Sequence, residues 1–557
     1  MIIKSFKFGT ILLILLLGSA CDKELLEERP PHLITSETLY TSLAGFETGL
    51  NGLYSQVRRE KEASHRSHAM TGSMFITGTD NIVTNHHNPG FYLVAQYWRD
   101  HNNPNHDEIE FVFNWLYRII NAANTIINRA ENSDNVDWSG GGASESVNKN
   151  RIIAEAKAIR AWAYRHLTFG WGDVPLTLVE SSGSTIRTDW ERASLTEVRQ
   201  QIIEDFLFAE EHIGIEPSLQ GRITKGAVQH YIAEMYLTLN DYEQALAYAN
   251  KVINTPEYQL ITERYGVRSD RPGVPFMDMF WEGNTNRDQG NSEALWVFQF
   301  GLQITGGGGG MIRRFHLSRF WNISIDGVRP VSHTYERGGL GYGRGSFTKW
   351  ALDNYEPQDD RFSEHAIRKF FILGDEQMNA PYPADNLPPG WSYGDTLWLD
   401  WSEDITYQNR GRVNWPFSRK AEGTDPNNTN EHHVHNDQIY LRLADTYLLK
   451  AETQYLMGQL GDAAETINII RRRSNASEID ASDVDIDFIL DERSRELFLE
   501  EHRRWTLLRT GKWLERVGAY NNNGGALITE RDLLFPIPQS VIDANLTKEM
   551  PQNPGWN

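Results

Sequence analysis

The chain has 557 residues, of which 40% are hydrophobic and 23% are charged, so its composition is ordinary but its length is too great for one compact core. Its formal net charge of −21 at pH 7 argues against nucleic-acid binding, because such a surface repels a polyanion. Beyond the N-terminus, no apolar run approaches the roughly 18 residues that a transmembrane helix needs.

The N-terminus has the pattern of a secretion signal. Two lysines precede the apolar run 11–17, and the small residues 18–20 lead directly to Cys21, the only cysteine of the chain. A cysteine directly after the cleavage site is typical of a bacterial lipoprotein. Residues 1–20 are therefore predicted to be a signal peptide, Cys21 to carry a membrane-anchoring lipid, and residues 21–35 to be a polar tether. The alternative is a cleaved signal followed by a chance cysteine.

Apolar residues at helical spacing predict several helices in the first half of the chain. They cover residues 36–58, 108–132, the segment from Asn150 to the glycines at 170 and 172, and 194–213. Ser194 and Glu197 have the spacing of a capping box at the start of the last of these. Residues 60–106 are rich in His, Asn, Gly and Thr and are predicted to be long loops.

Two helical hairpins have the spacing of a tetratricopeptide-like repeat. Thr224 is predicted to cap the first helix of one hairpin, in which Ala233 and Ala245 are 12 residues apart. The same spacing separates Ala451 and Ala463 in the second hairpin. Small residues at this spacing let two antiparallel helices approach closely, so the pattern indicates a helical-repeat scaffold. Two unrelated hairpins are the alternative.

Residues 255–435 interrupt the repeats and contain many tryptophans and two glycine-rich stretches. Residues 293–300 are predicted to form a buried strand that contains Trp296. The remainder is predicted to be long, irregular loops, which are uncommon unless they are functional. The five glycines 306–310 lack the lysine of a phosphate-binding loop, so we expect a flexible loop tip there.

The chain resembles the SusD/RagB family of outer-membrane nutrient-binding lipoproteins of Bacteroidetes. Besides the signal, the resemblance depends on motifs in a fixed order: AEAKAIRAWAYRHL with WGDVPL (154–176), YLRLADTYLLKAETQYLMG (440–458), ERSRELFLEEHRRWTLLRTGKW (492–513), FPIP (535–538) and QNPGW (552–556). It implies a mainly α fold, a tetratricopeptide-like scaffold with a long, irregular ligand-binding region. Residues 36–254 and 436–557 would form the scaffold, and residues 255–435 the variable ligand-binding region.

The resemblance also implies a function and a partner. The protein would be lipid-anchored and exposed at the outer membrane, where it would capture oligosaccharide or polysaccharide without cleaving it. It would deliver the glycan to a SusC-like TonB-dependent transporter. A peptide-capturing, RagB-like protein is the alternative within the family, and a secreted glycoside hydrolase or a purely structural partner of the transporter are alternatives outside it.

Sugar binding favours aromatic side chains beside polar ones in loops, because the apolar face of a sugar ring packs on an aromatic ring while its hydroxyls need hydrogen-bond partners. The predicted glycan-binding residues are Tyr97, Trp98, Asn102, Trp281, Arg314, Trp321 and Trp350, followed by Tyr92 and Tyr342. The tryptophans at 162, 171, 296, 505 and 513 are predicted to be structural.

No catalytic residue, metal site or cofactor is predicted. The histidines at 86, 87, 432, 433 and 435 lie in Asn-rich loops and are interpreted as solvated. A structural calcium ion is left open, because spacing does not reveal one. The acidic net charge favours a neutral glycan, whereas Arg313, Arg314 and Arg319 leave open a local site for uronates or sulfates.

Overall fold

The computed structural model describes residues 36–62, 72–84, 103–183, 185–374, 384–405 and 413–556, and its fold is mainly helical, as predicted. The longer helices are α1 (Leu43–Arg58), α2 (Asp107–Asn132), α3 (Glu145–Trp171), α4 (Leu195–His212), α5 (Lys225–Thr238), α6 (Tyr242–Ile253), α7 (Leu443–Leu456), α8 (Leu460–Arg473), α9 (Ile486–Leu497), α10 (Arg503–Arg509) and α11 (Trp513–Tyr520). Short helices lie at Ser36–Leu39, Ser73–Ile76, Pro275–Asp278, Ile312–His316, Lys349–Asp353 and Gln539–Asp543. No helix of these residues is long and apolar enough to cross a membrane.

The helices form one stack in which chain neighbours from α2 to α6 pack on each other. Helix α7 packs on α6, on α8 and on α9, so the stack continues across the long insertion between residues 255 and 435. All four alanines of the predicted hairpin crossings are fully buried, and Thr224 caps α5 through its side chain. The Ser194–Glu197 capping box is present at α4. The predicted helical scaffold is therefore confirmed.

The strands form four short antiparallel pairs. They are β1 (Ile82–Thr84) with β3 (Gly345–Phe347), β2 (Ala294–Phe298) with β8 (Gln438–Arg442), β4 (Ile367–Arg368) with β7 (Phe417–Ser418), and β5 (Phe370–Ile372) with β6 (Thr396–Trp398). The predicted strand at 293–300 is confirmed as β2, in which Trp296 is buried. The tryptophans at 162, 171, 505 and 513 are buried too, as predicted.

Two local helix predictions are wrong. The helix expected over 36–58 is interrupted between Leu39 and Leu43, where Ser42 caps the restarted helix by accepting the N–H of Gly45. The sequence of 492–504 predicts one charged amphipathic helix, but α9 ends at Leu497, and Leu499 adopts a positive φ of 68° before α10 begins. Four charged residues of α9 are buried in ion pairs: Glu492, Arg493, Arg495 and Glu496.

Gly307, Gly309 and Gly310 are buried, whereas Gly306 and Gly308 are exposed, so the run 306–310 is not a free loop tip throughout. Gly310 exchanges backbone hydrogen bonds with Val434, at N–O distances of 2.8 and 2.9 Å. A Cβ added at Gly309 would lie only 2.5 Å from the side chain of His433. Glycine is needed at positions 309 and 310 because another segment approaches their backbone, a requirement that a run of glycines in a sequence does not reveal.

Candidate functional site

Two segments of the variable region cross closely and position the candidate site. The backbone N–H of Tyr342 donates to the carbonyl of Arg314 at 3.2 Å, and the N–H of Arg344 donates to Phe315 at 2.7 Å. A Cβ at Gly341 would lie 2.4 Å from the carbonyl oxygen of Leu317, so only glycine fits at this crossing. The crossing holds Tyr342 beside the short helix Ile312–His316 and the turn that follows it.

Trp321 is fixed next to this crossing. Its indole N–H donates to the carbonyl of Gly341 at 3.0 Å, and its ring lies at a steep angle to the rings of Tyr342 and His333, with centroids 6.4 and 5.9 Å away. The side chain is half-buried, so part of the indole stays open to solvent. Because its only hydrogen-bonding group is already used, Trp321 offers a ligand an apolar surface.

Guanidinium groups surround Tyr342. The ζ carbons of Arg314, Arg319 and Arg344 lie 4.3, 5.6 and 5.5 Å from the centroid of its ring, and Arg319 is also 5.0 Å from that of Trp321. We call Arg314, Arg319 and Arg344 the arginine cluster. Cation–π contacts of this kind are weakly favourable and fix the arginines without using their N–H groups.

A second aromatic pair lies at Trp281, which was predicted, and Tyr335, which was not. Arg268 lies over both rings, at 4.2 and 5.7 Å from their centroids. Its backbone has a positive φ of 68°, a conformation that costs a non-glycine residue about 1 kcal/mol or more and that is found preferentially at functional sites. These three side chains line a pocket of about 210 Å³ together with Glu422, Gly423 and Asn436.

The loop 333–338 links the two pairs. Tyr335 is two residues from His333, whose ring contacts Trp321, and the N–H of Gly423 is 3.4 Å from the carbonyl of Gly338 in the same loop. We call Trp281, Tyr335, His333, Trp321 and Tyr342 the aromatic band. Polar groups lie beside it, such as Asn430, whose Oδ1 atom is 2.9 Å from Nε2 of His333. Rings beside amide and guanidinium groups suit a ligand that has both apolar and hydroxylated faces.

Of the remaining predicted site residues, the structure describes only Trp350, and it does not join this surface. Trp350 is stacked on Tyr520 with centroids 4.5 Å apart, and Arg516 lies over it, so its contacts are with α11. Tyr92, Tyr97, Trp98, Asn102 and the lipidation residue Cys21 lie outside the described residues. The assignment of Trp350 to the ligand therefore has no support from its position, and that of the others stays a prediction.

The sequence analysis missed the most exposed tryptophan of the described residues. Trp398 on β6 is 58% exposed and pairs with Phe370 across the β5–β6 hairpin. Its neighbour Leu397 is buried, so the signal is an alternation of buried and exposed side chains along a strand of three residues. Such a short strand cannot be recognised without its partner.

A buried group of Glu60, His166 and His502 has the composition of a metal site, but its hydrogen bonds do not fit one. The indole N–H of Trp505 donates to Nδ1 of His166 at 3.1 Å, and a guanidinium N–H of Arg165 faces Nδ1 of His502 at 3.3 Å. Both Nδ1 atoms therefore act as acceptors, and the proton of each neutral ring is on Nε2.

The Nε2 atoms face Glu60, at 2.8 Å from His502 and 3.9 Å from His166, so they present protons where a metal needs lone pairs. Burial lowers the pKa of both histidines, which keeps the rings neutral. The pKa of Glu60 is also lowered, because His502 and Lys61 outweigh the effect of its burial. We interpret the group as a structural hydrogen-bond network.

Two known protein families match this chain. The SusD family matches residues 313–556, and a family described as starch-binding and associating with the outer membrane matches residues 25–237. The chain belongs to the SusD family. This match confirms the resemblance seen in the motifs, and it associates the family with the outer membrane and with glycan binding.

Individual SusD-like proteins are distant relatives over almost the whole chain. SusD-like protein P25 of Formosa agariphila is 25% identical, covering 89% of this chain and 88% of its own. Among solved structures, a laminarin-binding SusD-like protein has a TM-score of 0.65 at 20% identity, covering 92% of this chain and 99% of its own. Surface glycan-binding protein A of Bacteroides thetaiotaomicron has a TM-score of 0.66 at 19% identity, covering 91% and 98%. At these low identities the structural similarity shows a shared fold only.

Proposed function

We propose that this SusD-family protein is a non-catalytic, lipid-anchored protein of the outer-membrane surface that captures glycans and delivers them to a SusC-like TonB-dependent transporter. The region 255–435 would be its ligand-binding part, carried by the helical stack on either side. The observation that carries the proposal is the aromatic band, where Trp321 is fixed through its N–H while part of its ring stays open. Membership of a glycan-binding family supports it.

The binding step is tested by calorimetric titration of the purified chain with a panel of neutral and acidic oligosaccharides and of peptides. We expect at least one glycan to bind, and Trp321→Ala to weaken it by about 1–2 kcal/mol, roughly 5- to 30-fold, because the apolar contact is lost. Trp398→Ala is the matched control, since it removes an exposed indole outside the band. Loss of binding in the control alone would place the site on the β5–β6 hairpin, and binding of peptides without any glycan would contradict the proposal.

The anchoring and delivery steps need separate measurements. Cys21→Ala is expected to release the chain from membranes and to abolish labelling by a fatty-acid probe. The intact lipoprotein is expected to co-purify with a TonB-dependent barrel from detergent-extracted outer membranes. Recovery of the wild-type chain in the soluble fraction would contradict lipid anchoring, and failure to co-purify a barrel would contradict delivery to a transporter. Release of shortened products from a bound polysaccharide would contradict the non-catalytic role.

A further inference from the structure

Arg314 is a buried cation with no carboxylate partner among the described residues. Only 5% of the residue is exposed, and its buried Nε and Nη1 atoms have no hydrogen-bond partner in the described structure. The Nε atom of Arg319 is in the same state. Buried polar groups are normally satisfied, because leaving one without a partner costs free energy, so an exception requires an explanation.

Buried arginines elsewhere in the described residues show how this chain normally satisfies them. Arg361 is held by Asp359 and two glutamates, Arg503 by Asp80 and Glu501, and Arg337 by Asp385 at 2.7 Å. Neither Arg314 nor Arg319 has a carboxylate within 4 Å among these residues. Arg314 and Arg319 therefore differ from these ion-paired arginines.

The surroundings of the arginine cluster add to its positive charge. Arg313, next to Arg314, uses its Nη atoms on the carbonyls of Gly423 and Glu431, and its pKa is lowered to about 10 by burial and by the charge of Arg314, against the opposing Glu431. The carboxylate of Glu431 itself accepts the backbone N–H groups of His432 and His433. Like charges this close repel each other unless an anion lies between them.

We propose that Arg314 and Arg319, stacked beside Tyr342 and Trp321, bind an oxyanion carried by a sugar, so that the glycan taken by this site is acidic. The inference rests on the proposed function and specifies its ligand. A guanidinium over an aromatic ring keeps its in-plane N–H groups for a carboxylate or a sulfate, which arginine binds with two parallel hydrogen bonds. The sugar ring would pack on the exposed part of Trp321. The net charge of −21 then excludes anions from the remaining surface and makes the cluster selective.

Matched pairs of polymers separate the charge from the sugar. The first pair is polygalacturonate and its methyl ester, which tests a carboxylate, and the second is dextran sulfate and dextran, which tests a sulfate. Affinity electrophoresis at physiological salt compares each pair on the same gel. We expect the charged member of at least one pair to retard the protein roughly 10- to 100-fold more strongly than its neutral counterpart. Which pair responds distinguishes uronate from sulfate.

Two variants show whether the cluster is responsible. Arg314→Met and Arg319→Met are expected to remove the preference for the charged member. Arg187→Met is the matched control: Arg187 lies 4.3 Å from the centroid of Trp190 but is exposed and paired with Asp189 at 2.9 Å. An equal loss in the control would show unspecific attraction and overturn the inference.

Arg314→Met is also expected to keep or raise the melting temperature, because it removes an unpaired buried cation. A lower melting temperature would assign Arg314 a structural role and overturn the inference.

The inference and the proposed function fail in different ways. Binding of the neutral members alone, unaffected by Arg314→Met, overturns the acidic ligand and leaves glycan capture in place. Binding of no glycan of either kind, here and in the wider panel, overturns both.

Discussion

Gly341 shows how one residue without a side chain determines the shape of the candidate site. A Cβ there would meet the carbonyl oxygens of Leu317 and Ser318 at 2.4 and 2.5 Å, and both are backbone atoms that cannot turn away. Its own carbonyl accepts the indole N–H of Trp321. The same residue therefore sets the approach of Tyr342 to the arginines and the orientation of Trp321.

Gly341→Ala is expected to lower the free energy of unfolding by about 1–3 kcal/mol, because the two segments must move apart. Ligand binding should weaken as well, since the aromatic band and the arginine cluster separate. Urea unfolding followed by tryptophan fluorescence measures the first effect and glycan titration the second. The same substitution at Gly461 is the control: a Cβ there meets nothing within 4 Å, and helix propensity predicts a gain of up to about 1 kcal/mol. Equal effects of the two substitutions would contradict this account.

At the scale of elements, the contact between α6 and α7 joins the two parts of the scaffold across the variable insertion. Ala245 on α6 and Ala451 on α7 are fully buried, and each is in a hairpin whose partner helix contributes another buried alanine. Methyl groups at these positions let the helix axes approach, so a larger side chain has no room without separating the helices.

Ala245→Leu is expected to destabilise the fold by about 1–3 kcal/mol, because the added atoms force α5 and α6 apart. Ala247→Leu, two residues away on the exposed side of the same helix, should change the stability by less than about 0.5 kcal/mol. Denaturation curves of the two variants and of the wild type, recorded in parallel, test the difference. A loss of similar size at Ala247 would mean that helix propensity, not packing, dominates.

These helices could be predicted from the sequence because their signals are local. The capping box at Ser194 and the alanine pairs each lie within a short stretch of chain, and the structure confirms them. The break between α9 and α10 could not be predicted, because the pattern of 492–504 is helical throughout and Leu499 departs from it only in the folded structure.

The candidate site was only partly predictable for a similar reason. The preference of sugars for aromatic and basic side chains predicts Trp281, Arg314 and Trp321, and the structure places Arg314 and Trp321 beside Tyr342. Arg268 contacts Trp281, which is near it in the chain, but Tyr335 joins them only through its contact with Arg268, more than 60 residues away in the sequence. Trp350 is the opposite case: its place in the variable region favours a ligand contact, but its ring packs on Tyr520, which is far along the chain.

At the scale of the whole molecule, a buried ion-pair network connects the variable region to the helical stack. Arg361 in the variable region contacts Glu492 and Glu496 of α9, and Arg442 of β8 contacts Glu496 and also Glu293, which precedes β2. These side chains are almost completely buried. Removing one member of such a network leaves its partners as uncompensated buried charges, so the network makes the two regions depend on each other for stability.

The network makes the protein sensitive to acid. Burial alone would raise the pKa of Glu492, but Arg361, Arg495 and Arg471 outweigh it and lower the pKa from 4.5 to about 2. Because the native pKa is lower than that of the unfolded chain, the carboxylate stabilises the fold fully above pH 4.5 and loses this effect as the pH falls towards 2. The contribution of this one group is on the order of 3 kcal/mol at neutral pH.

Glu492→Gln is therefore expected to lower the free energy of unfolding by about 3–5 kcal/mol at neutral pH, because it leaves buried guanidinium groups undercompensated. The difference from the wild type should shrink as the pH is lowered below 4.5, where the carboxylate of the unfolded wild-type chain begins to take up a proton while the native one stays ionised. Urea unfolding of both proteins at a series of pH values from about 7 to 3 measures this convergence. Glu263→Gln, at an exposed loop position, is the control and should stay close to the wild type throughout. A gap between Glu492→Gln and the wild type that stays constant down to the lowest pH would mean that the variant acts through altered packing and not through the lost charge.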